Sequence, residues 1–162
     1  MSNVGFIGLG IMGCPMAEHI IDGGHSLYAH SRSGVPAALT GKGATACNSP
    51  KEVAEHADII IVMVPDTPHV QAVLFGEKGV AEGLSAGKTV VDMSSISPIE
   101  TKQFAAKINE LGCEYLDAPV SGGEVGAKAA TLTIMAGGTE KGCAQVKPLL
   151  DLMGKSITLV GG

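Results

Sequence analysis

The feature that most constrains the fold of this chain is a glycine-rich turn between an apolar run and a helical pattern. Residues 4–7 predict a buried strand, residues 11–21 predict a helix that ends at Gly23-Gly24, and the turn lies between them. In such a unit the first glycine permits the tight turn, the second lets backbone approach a pyrophosphate, and the third lets helix pack on strand. Because a helix N-terminus attracts phosphates, the turn predicts a dinucleotide site. Its residues are Gly8, Leu9, Gly10, Ile11, Met12 and Gly13.

The same glycine pattern also fits a merely structural turn, since the chain contains 23 glycines. The strand before it and the helix after it favour the nucleotide site. Further β-rich runs alternate with helical patterns almost to the end of the chain. Strands are predicted over residues 26–29, 58–64, 88–93, 115–120, 131–136 and 156–160, and helices over residues 36–41, 67–74, 97–111 and 139–153, with one more opening at residue 49.

This alternation predicts an α/β fold, a doubly wound Rossmann-type domain over residues 1–162 with a mostly parallel sheet. The apolar run 58–64 is expected to be its central strand. Ser49 followed by Pro50 predicts a helix N-cap, and Ser97 with Glu100 fits a capping box. Hydrophobic residues make up 45% of the chain and aromatic residues 3%, so the core is expected to be aliphatic, as in buried parallel sheets.

Charge and cysteine content exclude several other classes of protein. The formal net charge is −5, which argues against nucleic acid or an anionic membrane as a partner. No apolar run is long enough to span a bilayer, and the glycine turn interrupts any signal-peptide pattern. The four cysteines are scattered without a C-x-x-C pair, so neither a metal site nor a disulfide framework is predicted. We therefore expect a cytoplasmic protein whose cysteines are buried, reduced thiols.

The end of the second predicted strand indicates which dinucleotide binds. An acidic residue there binds the ribose hydroxyls of NAD, whereas an arginine accommodates the 2′-phosphate of NADP. The expected position falls in His30-Ser31-Arg32-Ser33, which lacks a carboxylate and contains the only arginine of the chain. A guanidinium binds phosphate bidentately, and the hydroxyls of Ser31 and Ser33 add donors. The sequence therefore favours NADP over NAD, while a solvent-exposed surface arginine is the alternative.

Three other strand ends are expected to reach the reacting end of the ligand, because ligands of open α/β sheets lie beyond the carboxyl ends of the strands. The first is Val64-Pro65, an apolar turn suited to a nicotinamide ring. The second is Ser94-Ser95, whose hydroxyls are predicted to be free to reach cofactor or substrate. The third is Ser121-Gly122-Gly123, where consecutive backbone N–H groups are suited to a carboxylate.

These segments resemble the motifs of the β-hydroxyacid dehydrogenase family, in the same order and over the entire chain. The similar segments are Phe6-Ile7-Gly8-Leu9-Gly10-Ile11-Met12-Gly13-Cys14-Pro15-Met16, Met63-Val64-Pro65-Asp66-Thr67-Pro68-His69-Val70, Asp92-Met93-Ser94-Ser95-Ile96-Ser97-Pro98 and Asp117-Ala118-Pro119-Val120-Ser121-Gly122-Gly123. The resemblance implies hydride transfer between a nicotinamide and the carbon of a 3-oxo or 3-hydroxy acid. Met93-Ser94-Ser95-Ile96 and Glu124 are most similar to the branch that acts on tartronate semialdehyde; the branch that acts on 3-hydroxyisobutyrate is the alternative.

The resemblance also implies the roles of individual residues. It places Ser95 near the nicotinamide ribose and Val64 and Pro65 near the nicotinamide. It assigns the substrate carboxylate to Ser121, Gly122 and Gly123.

The family's general acid or base is a lysine on a long helix after the last strand of the first domain. No lysine of this chain corresponds to it, and Lys128 and Lys155 are expected to be solvated surface charges. The family's C-terminal all-helical domain, which closes the cleft and forms the dimer, is absent from the sequence. We therefore expect the cofactor domain of a longer, homo-oligomeric enzyme, inactive by itself. The alternative is a complete, non-catalytic nucleotide-binding module.

Overall fold

One mixed sheet organises the part of the chain that the computed structural model describes, residues 3–10, 12–32, 34–64, 67–94 and 98–161. Its nine strands are β1 (Asn3–Ile7), β2 (Ser26–His30), β3 (Thr45–Ala46), β4 (Ile59–Val62), β5 (Thr89–Asp92), β6 (Glu114–Asp117), β7 (Val120–Ser121), β8 (Leu132–Gly138) and β9 (Gly154–Gly161). The helices are α1 (Gly13–Asp22), α2 (Ala37–Thr40), α3 (Pro50–His56), α4 (Thr67–Phe75), α5 (Val80–Gly83), α6 (Pro98–Glu110), α7 (Gly123–Ala129) and α8 (Glu140–Met153).

The sheet is parallel from β3 to β6, in the order β3-β2-β1-β4-β5-β6. Strand β8 then pairs antiparallel with β6 and β7, and β9 pairs parallel with β8. The central position of β4, between β1 and β5, confirms the expectation from its apolar sequence. The predicted doubly wound, mostly parallel sheet is also confirmed.

Helices cover both faces of the sheet because side chains alternate along each strand. In β4, Ile59 and Ile61 join the core layer beneath α1, α2, α7 and α8, whereas Ile60 and Val62 join the layer beneath α3 to α6. Buried residues of both layers are mainly aliphatic, as the composition predicts. None of the helices in the described ranges combines the length and the apolar character needed to cross a membrane.

The helix start predicted at Ser49 is confirmed by its hydrogen bond. The Ser49 hydroxyl accepts from the Glu52 backbone N–H at 3.1 Å, and Pro50 occupies the first helical position. The corresponding prediction at Ser97 lies outside the described residues. The short elements β3, α5 and α7 were not predicted, since they contain two, four and seven residues and carry little periodicity.

Most predicted strands differ from the observed ones by one or two residues at their ends, and two of the differences affect the site. The run 115–120 is divided into β6 and β7, although both keep one continuous register against β8, with Asp117 opposite Gly137 and Ser121 opposite Thr133. The run 58–64 is shorter than expected, because β4 ends at Val62 and the Val64 N–H turns to a side chain. This early end places Met63 and Val64 in the wall of a cavity.

Candidate functional site

A cavity of about 710 Å³ lies at the carboxyl ends of β1, β2 and β4. It is lined by the glycine turn, the residues at and after the end of β2, Pro50, the residues after β4, and α4 as far as Val73. Of the predicted cofactor residues, those that line it are Gly8, Leu9, Gly10, Met12, Gly13, Ser31, Arg32 and Val64. The predicted residues Ile11, Ser33, Pro65 and Ser95 lie outside the described residues.

The three glycines of the turn have distinct surroundings. Gly8 has a φ of +101°, and a side chain there would clash with the Met63 carbonyl oxygen. A side chain on Gly13 would clash with the Gly8 carbonyl oxygen, so α1 packs directly against the end of β1. Beside Gly10, in contrast, the space within 4 Å of a would-be Cβ is open. A tight turn, a close helix contact and an open backbone approach are the arrangement that a pyrophosphate requires.

The beginning of α1 also fits a phosphate. Its N-cap, Met12, makes no side-chain capping bond, and the first turn contains no acidic residue. Backbone N–H groups at such an end are the donors that anions bind. The donor set of the turn therefore fits the pyrophosphate of a dinucleotide.

The wall after β2 is polar and exposed. The Arg32 guanidinium donates to Nε2 of His69, on α4, at 2.9 Å, and both residues line the cavity. Ser31 is half-buried beside it. Preceding them, Nδ1 of His30 donates to the Cys47 carbonyl oxygen at 3.1 Å. His69 was not predicted as a site residue, although it belongs to the segment 63–70 that resembles a motif of the family.

The wall after β4 is held by a buried hydrogen-bond chain. The Val64 N–H donates to the Ser94 hydroxyl at 2.9 Å, and the Ser94 N–H donates to Asp92 Oδ1 at 2.9 Å. The Tyr115 hydroxyl donates to Asp92 Oδ2 at 2.8 Å. Ser94 is 1% exposed. The prediction that its hydroxyl is free to reach a ligand is therefore wrong, because the protein backbone occupies it.

Burial changes the acidity of this wall. Desolvation raises the pKa of Asp92, although the hydrogen bonds from Tyr115 and Ser94 oppose the rise. Burial, and then the neighbouring Asp92 carboxylate, raises the pKa of Tyr115. The same two causes raise the pKa of Asp117, which lies opposite Asp92 in the sheet, to about 6.

The predicted carboxylate loop begins a helix that the sequence analysis did not include. Ser121 belongs to β7, Gly122 is the N-cap of α7 with a φ of +133°, and Gly123 has a φ of +61°. All three residues are exposed. The conformation at both glycines is one that residues with side chains rarely adopt, which explains the glycine pair.

Helix α7 brings this loop beside the glycine turn. Nε2 of His19, on α1, lies 2.8 Å from the carbonyl oxygen of Ala127 and 3.1 Å from that of Lys128. A second cavity of about 430 Å³ between the two helices is lined by Gly10, Cys14, Pro15, Glu18, Glu124 and Lys128. Gly10 therefore borders both cavities. Ser121, Gly122 and Gly123 are not among the described lining residues of the larger one.

Comparisons with known proteins agree with this geometry. The model of the family described as the NAD binding domain of 6-phosphogluconate dehydrogenase matches residues 3–162. The chain is 57% identical to 2-hydroxy-3-oxopropionate reductase of Escherichia coli (strain K12), covering 98% of this chain and 54% of the reductase. It is 42% identical to the mitochondrial 3-hydroxyisobutyrate dehydrogenase of Drosophila melanogaster, covering 98% of this chain and 49% of that protein.

Among solved structures, the one described as Psf3 in complex with NADP+ and 2-OPP superposes with a TM-score of 0.91 at 29% identity, covering 98% of this chain and 56% of Psf3. This chain spans about half the length of the curated relatives it matches. The resemblance to the β-hydroxyacid dehydrogenases is thereby confirmed, and the chain belongs to the family of NAD-binding domains of the 6-phosphogluconate dehydrogenase type, whose members are oxidoreductases.

Proposed function

We propose that this chain is the cofactor-binding half of an NADP-dependent reductase that transfers hydride between the nicotinamide and a 3-oxo or 3-hydroxy acid. The observation that carries the proposal is the cavity in which the open side of Gly10 and the Arg32 guanidinium line the same space. A pyrophosphate on the turn and a 2′-phosphate on the arginine need both features at one sheet edge. The bound nicotinamide would supply the hydride.

The chain's own residues would bind and orient that cofactor. The turn from Gly8 to Gly13, including Ile11, would cradle the pyrophosphate. Arg32, with Ser31 and Ser33, would hold the 2′-phosphate. On the other side of the turn, Val64, Pro65 and Ser95 would contact the nicotinamide half, an assignment supported by the family resemblance. Ser121, Gly122 and Gly123 would bind the substrate carboxylate.

The preference for NADP rests on the charges after β2. The segment His30-Ser31-Arg32-Ser33 contains a guanidinium and no carboxylate. A carboxylate there would repel a 2′-phosphate, whereas a guanidinium attracts it. Arg32 is exposed and is hydrogen-bonded to His69, which also lines the cavity. The NADP+ complex of Psf3, a structural relative, also supports this preference.

Affinities of the purified chain for NADP+ and NAD+ test this preference. We expect NADP+ to bind roughly tenfold or more tightly, since a charge-assisted bidentate pair is worth more than 1 kcal/mol. Arg32→Ala should abolish the difference. Lys42→Ala is the matched control, because Lys42 is an exposed cation paired with Asp22 and lies outside the cavity. Tighter binding of NAD+, or unchanged NADP+ binding in Arg32→Ala, would contradict the proposal.

For the substrate we propose tartronate semialdehyde, reduced to glycerate. Support comes from the 57% identity to 2-hydroxy-3-oxopropionate reductase, which exceeds the 42% identity to 3-hydroxyisobutyrate dehydrogenase. The second relative keeps 3-hydroxyisobutyrate as the alternative substrate. The two substrates are distinguished by assays of a protein that joins this chain to the second half found in its relatives. The assays compare tartronate semialdehyde with the aldehyde that corresponds to 3-hydroxyisobutyrate. Faster turnover of 3-hydroxyisobutyrate or its aldehyde would overturn the proposal of tartronate semialdehyde as the substrate.

We further propose that this chain alone turns over little substrate. Lys128 is exposed and lies 3.6 Å from Glu124, an ion pair that ties its ammonium to α7. Lys155 is an exposed residue of β9. Without a general acid, about 10²- to 10⁴-fold of rate is lost. Appreciable reduction of tartronate semialdehyde by the isolated chain would contradict this. For a protein that joins this chain to the second half found in its relatives, we propose homo-oligomers, as the family resemblance implies.

A further inference from the structure

We propose that the buried hydrogen-bond chain Tyr115–Asp92–Ser94–Val64 positions the cavity wall that receives the nicotinamide half of the cofactor. Asp92, Ser94 and Tyr115 are thus positioning residues, which act on the cofactor through the backbone of Val64. The inference rests on the proposed function, because it presupposes that a dinucleotide occupies the cavity. It adds Asp92 and Tyr115 to the site and gives Ser94 a role different from the predicted one.

The hydrogen-bond chain is well isolated from water. Asp92 is 0%, Ser94 1% and Tyr115 6% exposed. Among the described residues, the buried polar or charged ones, tyrosine and cysteine aside, are Thr89, Asp92 and Ser94. Two of those three therefore belong to this one chain of bonds, inside a core that is mainly aliphatic. A buried carboxyl is costly unless its partners are well placed, so a purely structural position of this kind is usually taken by an apolar side chain.

These hydrogen bonds provide an acceptor for the Val64 backbone N–H, which follows the end of β4. The Met63 N–H still donates to the Ile7 carbonyl oxygen at 2.9 Å, the last bond between the end of β1 and the residues after β4. The next wall residue, Val64, donates its N–H to the Ser94 hydroxyl instead. The Ser94 hydroxyl also lies 3.5 Å from the Val62 carbonyl oxygen, to which it donates. Ser94 therefore holds the backbone from Val62 to Val64, where the chain leaves β4 and lines the cavity.

Sheet order indicates which half of the cofactor this wall would contact. In the order β2-β1-β4-β5, Arg32 follows β2, the glycine turn follows β1, Val64 follows β4 and Ser94 follows β5. A dinucleotide crosses such a sheet with one nucleotide on each side of the glycine turn. With the 2′-phosphate on Arg32, the nicotinamide half lies toward β4 and β5. Displacement of Val64 should therefore affect that half and spare the adenosine half.

The test compares two tyrosine variants and two ligands. Tyr115→Phe removes the donor to Asp92, whereas Tyr28→Phe is the matched control, since Tyr28 stacks on His56 outside this network. The ligands are NADPH and adenosine 2′,5′-bisphosphate, which lacks the nicotinamide half. For Tyr115→Phe we expect the affinity for NADPH to fall about fivefold to tenfold, as for the loss of one hydrogen bond, and that for the bisphosphate to stay within about twofold. Tyr28→Phe should change neither.

Ser94→Ala is the second variant and carries the test if Tyr115→Phe does not fold. It removes the acceptor for the Val64 N–H and leaves the bond between Tyr115 and Asp92 in place, so the same selective loss of NADPH affinity is expected. Equal losses for both ligands, or no loss for either, would overturn the positioning role while leaving the proposed function intact. A wild-type chain that binds neither ligand would overturn the proposed function and, with it, this inference.

Discussion

The two walls of the large cavity are built on opposite physical principles. After β2, Arg32 is exposed and meets His69 in a surface hydrogen bond. After β4, backbone is held from behind by Ser94 and Asp92, which are almost fully buried. The wall after β2 is suited to bind a charged group of the ligand directly, whereas the wall after β4 is suited to keep the backbone that lines the cavity in a fixed position. We therefore expect substitutions in the wall after β2 to alter the choice of ligand with little effect on stability. Substitutions of the residues that hold the wall after β4 should mainly lower the stability of the fold.

The largest effect is expected for Asp92→Ala. This change leaves the Tyr115 hydroxyl and the Ser94 N–H buried without their acceptor, and each unsatisfied donor costs roughly 1–3 kcal/mol. We expect the free energy of unfolding, measured by urea titration, to fall by about 3 kcal/mol. Asp58→Ala, at an exposed position just before β4, serves as the control and should cost less than about 0.5 kcal/mol.

If Asp92→Ala costs no more than Arg32→Ala, the contrast between the two walls is wrong. A small effect of Asp92→Ala would mean that water reaches the Tyr115 hydroxyl and the Ser94 N–H once the carboxyl is removed. A large effect of Arg32→Ala on stability would mean that the exposed pair with His69 holds the fold together. Both variants are compared in the same buffer, without cofactor.

The sequence predicts the parallel part of the fold well, because its signals are local. Apolar strand patterns alternate with helical patterns over residues 4–111, and β1, α1, β4, β5 and α6 form where these patterns predict them. The antiparallel part is predicted less well. Strand β7 and helix α7 meet at Gly122 and Gly123, whose positive φ angles are set by pairing with β8 and by packing on α1. Those contacts are distant in sequence, so no local pattern reveals them.

The site divides in the same way. Residue type and spacing predict the cofactor-binding positions of Gly8, Gly10, Gly13 and Arg32, and all four residues line the cavity. The role of Ser94 was predicted wrongly, because a serine after a strand has the same local sequence whether it faces a ligand or a backbone N–H. Its partners, at Val64 and Asp92, come together only when β4 and β5 pair in register. Buried networks of this kind need the tertiary structure.

The second prediction concerns pH, and it separates the walls because Asp92 and Asp117, the acids with raised pKa values, lie on β5 and β6, on the β4 side of the glycine turn. The folded-state pKa of Asp117, about 6, exceeds its ordinary value of 3.8. Between these values the folded chain binds more protons than the unfolded chain, so the free energy of unfolding falls as pH rises from about 4 to 6 and levels off above. The raised pKa of Asp92 acts in the same direction.

Because Asp117 is half-exposed, solvent screening limits its part of this loss to about 1 kcal/mol. Asp117→Asn should remove that part of the slope and make the chain more stable at pH 7. Urea titrations of both proteins between pH 4 and pH 8 measure the effect, and Arg32→Ala, on the other wall, should keep the wild-type profile. Stability of the wild type that rises from pH 4 to pH 6 would show that the Asp117 carboxyl is better solvated than its position beside Asp92 implies.

The smallest effect is expected for His69→Leu, which tests the exposed wall alone. Loss of the Nε2 acceptor frees the Arg32 guanidinium to sample more rotamers, and NADP+ must then order it on binding. Exposed polar pairs are worth less than about 1 kcal/mol, so we expect the affinity for NADP+ to fall by about two- to threefold, with NAD+ unchanged. His56→Leu is the control, because His56 stacks on Tyr28 and does not line the cavity. If the affinities for NAD+ and NADP+ fall equally, His69 contacts the part of the ligand that the two cofactors share. Its hydrogen bond with Arg32 would then have no effect on the choice between them.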